Sequence, residues 1–339
     1  MMWAADGRQR LNSVCAVTVT YGDRYEQLAL GTINRALTAG ASHVVVVDNG
    51  SSDGSRLGMQ RDFGQDRRVT IVRLESNLGS AAGFARGMKS AAEIDTNLIW
   101  LLDDDNWVEP DTLNRLLATR SSATEHYCDP LAAVSGYRNL DSDHVRIAEG
   151  RPASIVFPPV GAFLSFDIFH YVRRHLPVRR AELEMDDLCL PNAPYGGLLF
   201  PTGLLELVGL PPVSYFLYVD DTVWTSRIVE SGHRIVLDRS AAVHDADEKW
   251  SRTAGSGPRG LLASADERRL YYSVRNRVHY ERSRIERPEQ FLRYQVNKFL
   301  FTAFALTSRF GRNKANYLVF ARAVKDGRNF TLKENDDSL

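Results

Sequence analysis

Apolar and polar positions alternate in blocks along the first hundred residues. Val14–Thr20 is a nearly unbroken apolar and β-branched run, which reads as a buried strand. Tyr25–Ala39 follows, with Leu28, Ile33 and Leu37 on roughly one helical face, and Gly40 ends it. His43–Asp48, Thr70–Leu74 and Leu98–Leu102 repeat the strand signature, and Gly79–Ala92, with its Ala, Met and Lys, predicts a helix between the last two. Short strands separated by helical segments imply βαβ units, a mostly parallel sheet and right-handed crossovers.

Beyond residue 105 the pattern loosens. Pro110–Thr119 reads as a helix with Leu113, Leu116 and Leu117 turned inward. Apolar runs at Ser154–Phe157, Ala162–Phe166 and Leu198–Phe200 read as strands and loops that extend the sheet. Pro201–Val208 and Val223–Ser231 predict helices ended by Gly209 and Gly232, an apolar strand is expected to lead from Tyr215 into Asp220, and Arg234–Asp238 is a further strand. Residues 246–262 read as a mobile loop. From Arg268 to Lys333 sixteen basic residues stand against four acidic ones, with aromatics interleaved, which reads as a basic, amphipathic, helical section. The expected division is a tail over residues 1–13, an α/β domain over 14–265 and the basic helical region over 266–339.

Charge and composition narrow the classes. The 339 residues carry 42 basic and 42 acidic side chains, which excludes a uniformly basic nucleic-acid binder, and no nucleic-acid partner is expected. Hydrophobic residues at 44% and charged residues at 25% exclude wholesale disorder. Cys15, Cys128 and Cys189 form neither a disulfide framework nor a CxxC pair, in keeping with a reducing compartment. Met1–Ser13 carries Asp6, Arg8 and Arg10 without an apolar stretch, so a secretory signal is not expected. Phe299–Leu306 is far shorter than the roughly 20 residues that cross a bilayer. The expected location is cytoplasmic, with the basic end suited to peripheral contact on the anionic inner face of the plasma membrane.

The chemistry gathers where strands end, which is where open parallel sheets bind ligands. The first strand runs into Thr20-Tyr21-Gly22-Asp23, the second into Asp48-Asn49-Gly50, the third towards Asn77, and the fourth into Asp103-Asp104-Asp105. Three adjacent carboxylates repel unless a cation compensates, and a divalent ion shared with substrate phosphates suits them; a solvated turn with Asp105 as a helix cap is the plainer reading. Asn77-Leu-Gly79-Ser-Ala-Ala-Gly83-Phe-Ala-Arg86-Gly87 opens a helix whose free N–H groups suit phosphate, with Arg86 adding charge, although close helix–sheet packing explains its small residues equally well. Asp220-Asp221 reads as a helix cap or as a general base at the edge of a pocket. His244, just after an apolar strand, is structural or completes a metal site with the aspartates.

These landmarks, in this order, resemble the inverting family 2 glycosyltransferases of GT-A fold, and within them the bacterial galactofuranosyl- and rhamnosyltransferases. The resemblance covers about residues 14–280. It rests on Val17–Tyr21, Val46–Gly54, Asn77–Gly87, Trp100–Asp105, Phe216–Asp221 and Tyr271-Tyr-Ser-Val-Arg275-Asn276. It implies a GT-A (Rossmann-like) mostly parallel sheet flanked by helices, with a helical C-terminal extension. It further implies a nucleotide–sugar site of Thr20, Tyr21, Asp48, Asn49, Asn77, Gly79, Arg86, Asp103 and Asp104. Asp103 and Asp105 would be the DxD ligands of Mn²⁺ or Mg²⁺, His244 a third ligand, and Asp221 the catalytic base with Asp220 beside it. The chain departs from the pattern after His244, where Asp245-Ala246-Asp247 replaces an aromatic or proline.

The expected activity is inverting transfer of a hexose to a hydroxyl of a glycan or lipid-linked oligosaccharide, in cell-envelope polysaccharide synthesis. UDP-galactofuranose is the favoured donor and dTDP-rhamnose the second. A sugar-1-phosphate nucleotidyltransferase would want a Gly-rich, Arg-containing loop after the first strand. A dinucleotide oxidoreductase would want a glycine fingerprint there, and Thr20-Tyr21-Gly22-Asp23 is neither. A non-catalytic protein that grips a polyanion through its basic end is the remaining alternative.

Overall fold

The computed structural model describes residues 13–175, 182–246, 261–262, 266–306 and 314–332. Most of the expected mobile loop at 246–262 lies outside them. The sheet is built from β1 (Val14–Gly22), β2 (His43–Ser51), β3 (Val69–Leu74), β4 (Leu98–Asp103), β5 (Asn106–Val108), β6 (Ala133–Arg138), β7 (Leu198–Pro201) and β8 (Ile235–Asp245). Its order is β3-β2-β1-β4-β7-β6-β8-β5. β1 pairs in parallel with β2 and β4, β2 with β3, and β6 with β8, whereas β7 runs antiparallel to β4 and β6, and β5 to β8. The parallel half is the one legible from the apolar runs.

Helices fill the connections: α1 (Leu30–Thr38), preceded by a wide turn at Tyr25–Ala29, α2 (Asp53–Phe63), α3 (Gly79–Ala92), α4 (Thr112–Tyr127), α5 (Ser142–Ala148), α6 (Ala153–Val156), α7 (Ile168–His175), α8 (Gly203–Val208), α9 (Asp220–Glu230), α10 (Glu267–Ser283), α11 (Pro288–Leu306) and α12 (Lys314–Asn329). Alternate residues of β1 serve two cores. Val14 and Ala16 pack with Ile33, Val46 and Trp100 on one face, while Cys15, Val17 and Val19 pack with Val47, Phe84 and Met88 on the other. Each such buried Val, Leu or Met side chain contributes roughly 1.5–3 kcal/mol. A third core, of Phe163, Leu270, Val274, Val278, Tyr294, Phe301 and Phe320, binds α10, α11 and α12 together and to the 161–166 turn.

Several sequence expectations change. Ser154–Phe157 is not a strand: Pro152 precedes the single turn of α6. Ala162–Phe166 is a turn closed by a Phe163–Phe166 bridge. The helix α2 was hidden by its Gly and charged residues; Ser52 starts it by accepting a bond from the Ser55 N–H at 3.4 Å. No strand leads into Asp220. The chain from Phe216 to Val219 is a loop with positive φ at Phe216, Tyr218 and Val219.

Candidate active site

The acidic triplet at the end of β4 divides its labour. Asp104 turns inward and is 5% exposed. Its carboxylate accepts from Thr20 Oγ1 at 2.9 Å and from Arg24 through Nε at 2.9 Å and Nη2 at 2.8 Å. Thr32 holds the same turn by donating to the Asp104 carbonyl at 2.8 Å. A carboxylate this deep requires a countercharge, and the two-pronged guanidinium supplies it. Thr20 and Asp104, expected at the nucleotide, are thus spent on each other.

Asp103 and Asp105 remain at the strand end. Arg138, on β6, donates to Asp103 Oδ2 at 3.0 Å and to Asp245 Oδ1 at 2.6 Å. Asn106 joins them, accepting from the Asp103 N–H at 2.9 Å and donating to Asp245 Oδ1 at 3.0 Å. Four carboxylates (Asp103, Asp104, Asp105, Asp245) therefore share two guanidiniums. Burial, with the charges of Asp103, Asp104 and Asp245, pushes the Asp105 carboxyl up to about 7. Such a surplus of hard oxygen donors fits a divalent cation, with Asp103 and Asp105 as the residues that could hold it.

His244 is placed differently from the expectation. In the antiparallel pairing of β5 and β8, Trp107 stands opposite His244 and Asn106 opposite Asp245. Because successive strand residues face opposite sides, Asp245 stands with the acidic cluster and His244 is turned from it. Among the described residues no three His, Cys, Asp or Glu side chains converge in metal-ligating geometry.

The ends of β1 and β2 are scaffolding as much as surface. Asp48 is buried, accepting from the Ser51 N–H at 2.7 Å and from Arg56 Nε at 2.9 Å. Asn49 stitches β2 to α3: it donates to the Gly79 carbonyl at 2.9 Å and accepts from the Leu78 N–H at 2.9 Å. Asn77 accepts from the Gly79 N–H at 2.9 Å, and the Ala81 N–H bonds the Phe216 carbonyl at 3.3 Å. The N–H groups of Leu78, Gly79 and Ala81 are thus occupied by protein, and the small residues of this segment pack closely. Gly79 (φ +86°) lies where any Cβ would strike the Phe216 carbonyl, and a Cβ at Gly83 would come within 2.6 Å of Val19 Cγ1. Arg86 is partly buried farther along α3. Tyr21 stays accessible at 37% exposure, its ring 5.3 Å from the Arg24 guanidinium carbon.

The second acidic pair begins α9. The positive-φ loop before it is held by two residues on α10. Asn276, fully buried, donates to the carbonyls of Tyr215 at 3.0 Å, Leu217 at 2.8 Å and Tyr218 at 2.8 Å, and Arg275 reaches the Tyr215 carbonyl at 2.9 Å. The Arg-Asn element of the sequence is thus a clamp on the loop that aims the carboxylates. Asp220 points back towards α3, accepting from Ser80 Oγ at 3.0 Å, and burial beside the Asp221 charge pushes it up to about 8. Asp221 accepts from the Thr222 N–H at 2.5 Å. Burial raises its carboxyl above the ordinary range, while that N–H and Arg277 pull it down.

Asp221 lines a cavity of about 450 Å³, together with His144, Asn192, Tyr218, Thr222 and Arg277. The Asp103 charge contributes to raising both Asp220 and Asp221, so the two acidic sites lie within electrostatic reach of each other. The segment between them is continuous: Asn192 and Pro194 wall the cavity, and a Cβ on Gly196 would meet Asp103 Oδ2 at 2.6 Å.

Residues 15–170 match the family described as "Glycosyl transferase family 2". The galactofuranosyltransferase GlfT1 of Mycobacterium tuberculosis is 31% identical over 230 residues, 65% of this chain and 66% of that protein. The chain's match therefore falls just short of two thirds of that relative's length. The GlfT1 of Mycolicibacterium smegmatis is 29% identical over 278 residues, 78% of this chain and 81% of that protein. Among solved structures, a mannosyltransferase from Pyrobaculum calidifontis in complex with GDP-Man and Mn²⁺ superposes with a TM-score of 0.51 at 16% identity, covering 94% of this chain and 76% of that one, a likeness of fold.

Proposed function

We propose that the chain, whose residues 15–170 match glycosyltransferase family 2, is a glycosyltransferase that moves galactofuranose, with rhamnose as the second choice, from a nucleotide diphosphate sugar to a hydroxyl of a glycan or lipid-linked acceptor, with inversion. The reading is supported by one observation: the 192–196 segment walls the Asp221 cavity at Asn192 and Pro194 and passes Asp103, at the end of β4, at Gly196. The galactofuranosyltransferase relatives support the sugar. The Mn²⁺ of the mannosyltransferase, with the surplus oxygen donors here, supports Mn²⁺ or Mg²⁺. When bound by Asp103 and Asp105, such an ion would neutralise charge developing on the leaving diphosphate.

The chain's own residues account for the proton. Burial raises the proton affinity of both members of the pair, and of the two it is Asp221 that lines the cavity. Asp221 takes the proton of the acceptor hydroxyl as that oxygen attacks the anomeric carbon. Its elevated proton affinity suits a base, and the carboxylate also stabilises positive charge on the sugar. One in-line displacement breaks the bond to the diphosphate from the opposite face, which inverts the centre without a covalent glycosyl-enzyme.

The C-terminal helices supply the acceptor side. On α11, Leu292, Val296 and Phe299 form an exposed apolar stripe flanked by Phe291 and Phe304, and Phe169 and Val172 on α7 are exposed beside it. The apolar stripe, in a section with sixteen basic residues against four acidic ones, supports docking on an anionic leaflet at the inner face of the plasma membrane. No helix among the described residues is long and apolar enough to cross a membrane.

The test is release of UDP from UDP-galactofuranose by the purified chain with alkyl glycoside acceptors, with Mn²⁺ and after chelation, against dTDP-rhamnose in parallel. Metal-dependent, acceptor-dependent release from the first is expected. No turnover of either donor under any condition would refute the reading.

A further inference from the structure

Buried polar atoms without a hydrogen-bond partner are uncommon, and each asks for an explanation. Two such groups line the space beyond Asp221. His144 is 1% exposed, its Nδ1 accepts from the Arg138 N–H at 3.2 Å, and its Nε2 has no partner among the described residues. The neutral ring accordingly carries its proton on Nε2, as a donor at the wall of the 450 Å³ cavity. Tyr280 is 5% exposed with an unpartnered hydroxyl, and it lines a second cavity of about 290 Å³. The two cavities share Asp143, Phe157, Ser165, Asn192 and Arg277 in their walls. Arg277 sits 5.7 Å from the Tyr280 ring centre and hydrogen-bonds no described residue.

This wall is not loosely assembled. Glu281 accepts from the N–H groups of Leu164 at 2.6 Å and Ser165 at 2.7 Å, both at positive φ, and so fixes a turn whose Ser165 lines both cavities. Arg284, ion-paired to Glu230 at 3.3 Å, lies over the other side of the Tyr280 environment, 5.2 Å from its ring centre.

We infer that the two cavities form an acceptor site for a glycan of at least two sugar rings. The ring bearing the attacked hydroxyl lies beside Asp221 and His144, and the next ring lies in the second cavity, bonded by the Tyr280 hydroxyl and Arg277. Sugar hydroxyls both donate and accept, which matches a wall that mixes the donors of His144 and Arg277 with the acceptors Asp143 and Asp221. Phe157 and Pro158 offer apolar surface to the C–H face of a ring. The inference rests on Asp221 as the base of glycosyl transfer.

The readout is a preference: the ratio of kcat/KM for alkyl glycosides of two sugars over those of one, which a general loss of activity leaves unchanged. The intact enzyme should prefer two sugars. Tyr280→Phe should cut the ratio about threefold to tenfold, and Arg277→Met by more, the usual scale for losing a neutral and a charged hydrogen bond to ligand. The Tm of ligand-free Tyr280→Phe should be unchanged or higher, since the hydroxyl it removes has no partner. A ratio unmoved by both substitutions in an enzyme that still transfers would overturn the acceptor assignment while leaving the glycosyltransferase reading intact. So would a lower Tm in Tyr280→Phe, or an effect confined to phosphorylated one-sugar acceptors, which would give the cavity to an anion. Absence of transfer from every donor to every acceptor would remove the glycosyltransferase reading first and this inference with it.

Discussion

The two acidic sites are built on different electrostatic plans. At the end of β4 every carboxylate stands near a guanidinium: Arg24 holds Asp104 and Arg138 bridges Asp103 and Asp245. At the start of α9 no ion pair forms among the described residues; Ser80, the Thr222 N–H and, at longer range, Arg277 are what the carboxylates have. The first arrangement crowds four carboxylates around two guanidiniums, so that Asp105 is pushed up to about 7 and there is room for more positive charge. In the second, burial with no ion pair is what raises proton affinity. One is suited to binding a cation with its diphosphate, the other to taking a proton.

Three substitutions or titrations break or sharpen that contrast, and a fourth probes the surface around it. Asp221→Asn removes the proton acceptor and should lower turnover by roughly 10²–10⁴-fold with UDP binding retained, measured by steady-state rates and nucleotide titration. Arg24→Met leaves the buried Asp104 without its cation and should cost about 3–5 kcal/mol in denaturant unfolding at neutral pH, and less in acid where Asp104 is protonated. The pH dependence of the ligand-free protein should distinguish the sites further. Asp105 near 7 and Asp220 near 8 bind protons in the folded chain that the unfolded chain, with carboxyls near their ordinary values, has already released. Their contribution to stability is therefore present below about pH 4 and lost as pH rises towards 7–8. Thermal melts from pH 5 to pH 8 should show that decline, and Mn²⁺ should offset more of it at pH 8 than at pH 5, because the cation competes with protons only at Asp105. Phe299→Glu should have the smallest effect: catalysis on a water-soluble acceptor unchanged, flotation with anionic liposomes reduced.

The sequence made the chemistry visible wherever it was local. Apolar runs ending in acids announced β1, β2 and β4 and the triplet after them, because strand periodicity and strand-end chemistry are both short-range signals. What escaped were partners recruited across the chain. Arg24 and Asp104 are 80 residues apart, and Arg138 and Asp103 are 35 apart, so nothing near either residue marks the pair. The same holds for Asn276, whose role is to bond three carbonyls about sixty positions earlier. The four-residue apolar run Ser154–Phe157 fits a strand and a helical turn equally, and Pro152 decided for the turn. The small residues after Asn77 fitted a phosphate cradle or close packing, and the approach of the Phe216 carbonyl to Gly79 shows the packing. Asp245, read only as an interruption after His244, proves to be the residue that β8 contributes to the acidic cluster.

The division of labour between the two acidic sites is tested most directly by titrating UDP, with and without Mn²⁺, into Asp105→Ala and Asp221→Asn side by side. Loss of the Mn²⁺-dependent gain in affinity in the first, and its retention in the second, is the expected result. Retention of the gain in Asp105→Ala, or its loss in Asp221→Asn, would contradict it.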